Sequence, residues 1–111
     1  MSRTPEGEVI QAVEEYLKLT DLPIWRNNSG AVKKGNSFIR FGKTGTSDFI
    51  GFDERTGRII AIECKRPNGG RLSDEQKDFL GRVARAGGIA ITARSLDEVL
   101  AGLRAAGVTR R

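Results

Sequence analysis

The stretch from residue 58 to residue 93 constrains the fold of this chain more than any other. It starts with a strand candidate, residues 58–65, built on the apolar run Ile59-Ile60-Ala61-Ile62, and it ends with a second apolar strand, Ile89-Ala90-Ile91-Thr92-Ala93. Between them Pro67-Asn68-Gly69-Gly70 breaks regular structure. Ser73-Asp74-Glu75-Gln76 then has capping-box spacing and opens a helix bearing Phe79, Leu80 and Val83, which Gly87-Gly88 stops. A strand, a helix and a strand joined this way predict a right-handed parallel crossover, hence an α/β architecture.

The remaining elements extend that unit. Thr4 can cap and Pro5 suits the first helical position, while Val9, Ile10, Val13, Tyr16 and Leu17 define a buried stripe ending near Thr20. Pro23-Ile24-Trp25-Arg26 begins an extended segment, and the polar stretch from Asn27 to Asn36 reads as a turn or loop. Ser37–Phe41 is a short strand, and residues 47–52 form another that pairs with residues 58–65 as a hairpin across Asp53-Glu54-Arg55-Thr56-Gly57. Ser95-Leu96-Asp97-Glu98 starts a last helix, which Gly107 can end. The expected order is α-β-β-β-α-β-α, a mixed sheet flanked by helices, as one domain over residues 1–111.

Composition removes several functions. The chain has no histidine and one cysteine, Cys64, which excludes an internal disulfide, a structural zinc site and a histidine-based triad. Any metal must be held by oxygen. No stretch approaches the ~20 apolar residues of a membrane span, so no membrane partner is expected, and a reducing cytoplasm is the simplest compartment. The net charge of +5 favours a polyanion, most simply nucleic acid.

Two opposite charges follow the apolar run directly. Strand alternation puts Glu63 and Lys65 on one side and turns Cys64 away, as a small buried hydrophobe. Asp48 on the neighbouring strand can join them, and two converging carboxylates can hold Mg²⁺, a hard ion that takes oxygen ligands. A lysine beside such an ion can orient a water or neutralise phosphate charge. Glu6 lies three, four and seven residues before Val9, Ile10 and Val13, placing it on the buried helical stripe, whereas Glu8, Glu14 and Glu15 fall off it. Small residues before Asp48 would let a backbone phosphate approach, and Arg66 and Arg71 can hold phosphates without reading bases.

Glu6, then Gly45-Thr46-Ser47-Asp48, then Glu63-Cys64-Lys65, then Gln76 together resemble the virus-type replication-repair nuclease (VRR-NUC) domain. That family is a branch of the restriction-endonuclease-like superfamily, whose shared pattern is Asp…Glu-x-Lys. The resemblance implies a restriction-endonuclease-like core and a stand-alone, phage-type DNA endonuclease dependent on Mg²⁺ or Mn²⁺, working in a bacterial host's cytoplasm. Carried over residue by residue, it makes Asp48 and Glu63 metal ligands, with the Cys64 backbone carbonyl as a third. Lys65 would position the attacking water, Glu6 would support a metal or its waters, and Gln76 would help order the site. Ser47 stands where the superfamily often has proline. Stand-alone members resemble Holliday-junction resolvases and act as homodimers, which points to branched DNA.

Asn28, Ser29, Lys33, Lys34, Arg40, Lys43, Arg66 and Arg71 are the expected DNA contacts, made through phosphates. Ser37–Phe41, with Phe38 and Phe41, is the expected dimer interface. Each feature also has a plain structural reading. Glu63 and Lys65 can form an ordinary ion pair, Gln76 can serve only the capping box, Trp25 can be core or interface, and the lysine pair can be a solvated loop. The alternative activities are a flap- or nick-directed nuclease and a non-catalytic DNA-binding module.

Overall fold

The computed structural model describes residues 4–28 and 30–108, with backbone alone for residues 30–32 and 38–41. Helix α1 (Pro5–Thr20) starts where expected: the Thr4 hydroxyl accepts the Gly7 N–H at 3.0 Å, and Pro5 takes the first position. It ends at Asp21, whose φ of 54° is left-handed. The strands that follow are β1 (Ile24–Arg26), β2 (Gly30–Lys34), β3 (Ser37–Phe41), β4 (Phe49–Phe52) and β5 (Ile59–Cys64). Helix α2 (Asp74–Arg85), β6 (Ile89–Ala93) and α3 (Leu96–Ala105) complete the chain.

The main sheet runs β1-β4-β5-β6. β4 and β5 are the expected hairpin, with Phe49 opposite Ile62 and Phe52 opposite Ile59. β5 and β6 are parallel, Ile60 opposite Ile89 and Cys64 opposite Ala93, so α2 is the connection between parallel neighbours. The class is α/β as expected, and the main-sheet strands with the helices follow α-β-β-β-α-β-α, although the whole chain has five strands between α1 and α2.

The first strand of that order is not Ser37–Phe41, however. Ile24–Arg26 pairs antiparallel with β4, whereas Ser37–Phe41 pairs with Gly30–Lys34 in a separate two-stranded sheet. The polar stretch read as a loop thus contains a strand. Ile24 is buried in the cluster under α1, and that burial selects the short segment as the partner of β4.

Two cores lie on opposite faces of the main sheet. Val9, Val13 and Leu17 of α1 and Val99 and Leu103 of α3 pack on Phe49, Ile60, Ile62, Cys64, Ile89 and Ile91. Each such burial contributes about 1.5–3 kcal/mol. On the other face Leu80 and Val83 of α2 pack on Ala61, with Ile50, Leu72 and Phe79 alongside. This second face carries Glu63 by strand alternation, since Ala61 and Glu63 are two residues apart. No described helix is long and apolar enough to cross a membrane.

Candidate active site

Asp48, Glu63 and Lys65 meet at one end of the sheet. Asp48 stands just before β4, and its Oδ2 accepts the Cys64 N–H at 2.7 Å across the hairpin. Amide and carbonyl of one strand residue leave on the same edge, so the Cys64 carbonyl belongs to the Asp48 side as well. Lys65, whose own N–H donates to the Ala93 carbonyl at 2.8 Å, begins the next residue pair toward β6.

Glu63 is 2% exposed. Its Oε2 accepts from Gln76 Nε2 at 3.1 Å and lies 4.0 Å from Lys65 Nζ, while its Oε1 is buried and receives no hydrogen bond. Burial, then the Asp48 carboxyl beside it, pushes the Glu63 carboxyl up to about 8, against a smaller opposing pull from Lys65. Asp48 and Glu63 thus bring two carboxyl groups together, on the side of the Cys64 amide.

That donor set fits a small divalent ion. Mg²⁺ commonly takes one or two carboxylates and fills its shell with waters and substrate phosphate. Among the described residues no third histidine, cysteine, aspartate or glutamate completes a side-chain cluster. Asp48, Glu63 and the Cys64 carbonyl are therefore the protein oxygens on offer, and Glu63 Oε1 is the buried acceptor that lacks a partner.

Glu6 arrives from the start of α1. Its side chain is 42% exposed, not buried as its place on the stripe suggested: burial of the stripe begins at Val9. Its Oε1 lies 4.0 Å from Lys65 Nζ, so the lysine sits between Glu6 and Glu63. Gln76 closes the helix cap and reaches Glu63 with the same side chain. Its Oε1 accepts the Ser73 N–H at 2.8 Å and its own N–H donates to Ser73 Oγ at 3.1 Å, closing the capping box, while Nε2 reaches Glu63.

Arg26 is the neighbour that sequence reading missed. Its Nη1 donates to the Asp48 carbonyl at 2.8 Å and to the Asn27 carbonyl at 2.8 Å, and lies 3.6 Å from Asp48 Oδ1. The guanidinium carbon is 5.7 Å from the centroid of the Phe49 ring. Asn27 Nδ2 donates to Thr46 Oγ1 and to the Ser47 carbonyl, bracing the segment before Asp48. The available signal was a charged residue closing an apolar strand, the same one that marked Glu63.

The small residues before Asp48 have a use other than the expected phosphate approach. Gly45 (φ +89°) lies against α2, where an added Cβ would come within 2.8 Å of Glu75 backbone. Ser47 is fully buried and its hydroxyl has no partner. After Lys65, the chain is held by Arg94, whose guanidinium donates to the carbonyls of Arg66 (2.9 Å), Gly69 and Gly70 (3.1 Å).

Asn28, Lys33, Lys34, Lys43, Arg66 and Arg71 are exposed, and none forms an ion pair among the described residues. Arg66 and Arg71 lie on the loop after Lys65, where the Arg66 side chain lies over Gly69 and Gly70, whereas Lys43 borders a groove beside α2. Ser29 lies outside the described residues, as do the side chains of Arg40, Phe38 and Phe41. Trp25 is 53% exposed and so is not core.

No protein of curated function matches this sequence. The family model of the VRR-NUC domain matches residues 14–97, a span that holds Asp48, Glu63, Lys65 and Gln76 and starts after Glu6. The chain therefore belongs to the VRR-NUC family, nucleases of the restriction-endonuclease-like superfamily whose substrate class is DNA.

Proposed function

We propose that this chain is a divalent-metal-dependent DNA endonuclease that acts as a homodimer on branched DNA. The buried, unpartnered Glu63 Oε1 beside the Asp48 carboxyl is the observation that carries the metal part of this reading. Asp48, Glu63 and the Cys64 carbonyl would hold Mg²⁺ or Mn²⁺. When bound, such an ion polarises the scissile phosphate and makes a bound water more acidic.

The chain's own residues supply the rest. Lys65, held between Glu6 and Glu63, orients a water and faces the negative charge that grows on the phosphate. Gln76 fixes one oxygen of Glu63, leaving the other for a cation. Asp48 is held by the Cys64 amide and by Arg26. The exposed Asn28, Lys33, Lys34, Lys43, Arg66 and Arg71 bind phosphates, which gives selectivity for DNA shape rather than sequence. The preference for branched DNA rests on the family resemblance, with two sites per dimer suited to a junction.

The test is cleavage of labelled four-way junctions, flaps, nicked and plain duplex with Mg²⁺ or Mn²⁺, paired with calorimetric titration of Mn²⁺. Wild type should cut junctions best, and Asp48→Ala should neither cut nor bind Mn²⁺. Preference for flaps or nicks would replace the junction assignment. DNA binding with no cleavage under either metal would make the chain a binding module.

A further inference from the structure

We infer that the second copy docks on the face of the main sheet that α2 leaves bare. This rests on the homodimer reading above and names its surface. Three of the large exposed apolar side chains share that face: Trp25 at 53%, Phe52 at 45% and Ile59 at 40% exposure. The register requires it, because Trp25 pairs with Ile50, Ile50 with Ala61, and Phe52 with Ile59, and Ala61 lies under α2. Helix α2 lies over β6 and β5, with Ile50 of β4 at the margin of its core. Contiguous apolar surface of this kind on a sheet marks an interaction site.

A groove of about 740 Å³ continues the patch along α2, floored by Ile59, Phe79 and Val83. Its α2 wall repeats at helical spacing: Glu75, Asp78 and Arg82 stand on one stripe, with acids toward the N-terminal end and a cation toward the C-terminal end. Asp78 and Arg82 are two-thirds exposed and lie 3.9 Å apart as an ion pair on one helix, which an antiparallel partner helix would extend into a four-charge network. A two-fold axis crossing α2 would run the partner's helix antiparallel and set Asp78 of each copy against Arg82 of the other. The patch is thus complementary to itself in charge and apolar at its centre. The acids Asp74, Glu75 and Asp78 line the groove with the cations Lys43 and Arg82, a mixed lining that suits a charge-matched protein surface better than a polyanion.

The contact also leaves the nuclease end open. Phe52 and Ile59 each lie four residues from Asp48 and Glu63, roughly 13 Å along their strands. Two such sites would then open away from a shared centre.

Sedimentation equilibrium of the full chain, without DNA or metal, tests this over a wide concentration range. Wild type should have twice the 12.1 kDa chain mass, and Phe52→Glu should be monomeric with an unchanged far-ultraviolet spectrum. Arg82→Asp should weaken dimerisation at least about ten-fold, and Asp78→Arg combined with Arg82→Asp should restore it. Leu19→Glu, on α1 across the sheet and 79% exposed, should leave the dimer intact. If Phe52→Glu does not fold, the exposed charge variants decide alone. A monomeric wild type overturns the inference, as does a dimer indifferent to both Phe52→Glu and Arg82→Asp. Cleavage is scored separately, so a monomer that cuts DNA sinks the interface and spares the nuclease, and an inactive dimer does the reverse.

Discussion

Gln76 joins Glu63 to the start of α2: one side chain donates to the buried carboxylate at 3.1 Å and accepts the Ser73 amide at 2.8 Å. Helix cap and site share a residue, and two substitutions separate the roles. Ser73→Ala removes the hydroxyl half of the cap but keeps the backbone amide that Gln76 accepts. It should cost about 1 kcal/mol in chemical denaturation and leave cleavage near wild type. Gln76→Glu still suits a capping box yet loses the donor to Glu63, so it should cut at least about ten-fold more slowly at similar helix content.

The Glu63 carboxyl gives the metal-free protein a distinctive pH dependence. Burial and Asp48 raise it from 4.5 to about 8, so between those values the folded chain keeps a proton that the unfolded chain has released. Stability from this group is complete below pH 4.5 and is lost as pH rises to about 8. Denaturation of the chelator-treated protein at both ends of that window should show the fall, and Glu63→Gln should flatten it. Divalent ions should bind more tightly as pH rises, with proton release that calorimetry in two buffers can count.

Arg26 anchors Asp48 by its backbone carbonyl and faces its carboxylate, with its guanidinium on Phe49. Arg26→Ala should lose about 1.5–3 kcal/mol of stability and most of the cleavage rate. Arg26→Lys keeps the charge but not the planar fork, so it should recover Mn²⁺ binding better than stability.

Ser47 buries a hydroxyl that has no partner. Ser47→Ala removes an unmet polar group at little cost in volume, and should be neutral or stabilising by about 1 kcal/mol in urea denaturation, with cleavage unchanged.

Much of this was legible in the sequence, and for a local reason. The unit from β5 through α2 to β6 announces itself by an apolar run, a Gly-rich break, a capping box and a Gly pair, each a signal carried within a few residues. Period-two alternation likewise placed Glu63 and Lys65 together and Cys64 in the opposite core, where it is fully buried.

Tertiary structure decided what depends on distant neighbours. A three-residue strand, Ile24–Arg26, took the place beside β4 because Ile24 fills the core under α1, while the longer Ser37–Phe41 paired with Gly30–Lys34. The same choice brought Arg26 to Asp48, across a separation of 22 residues. Gly45 met α2, Glu6 came to rest against Lys65 at the helix start, and Phe52 and Ile59 were left uncovered on one face. Periodicity specifies which face of an element a residue occupies. Which elements lie against that face is settled only when the cores compete for cover.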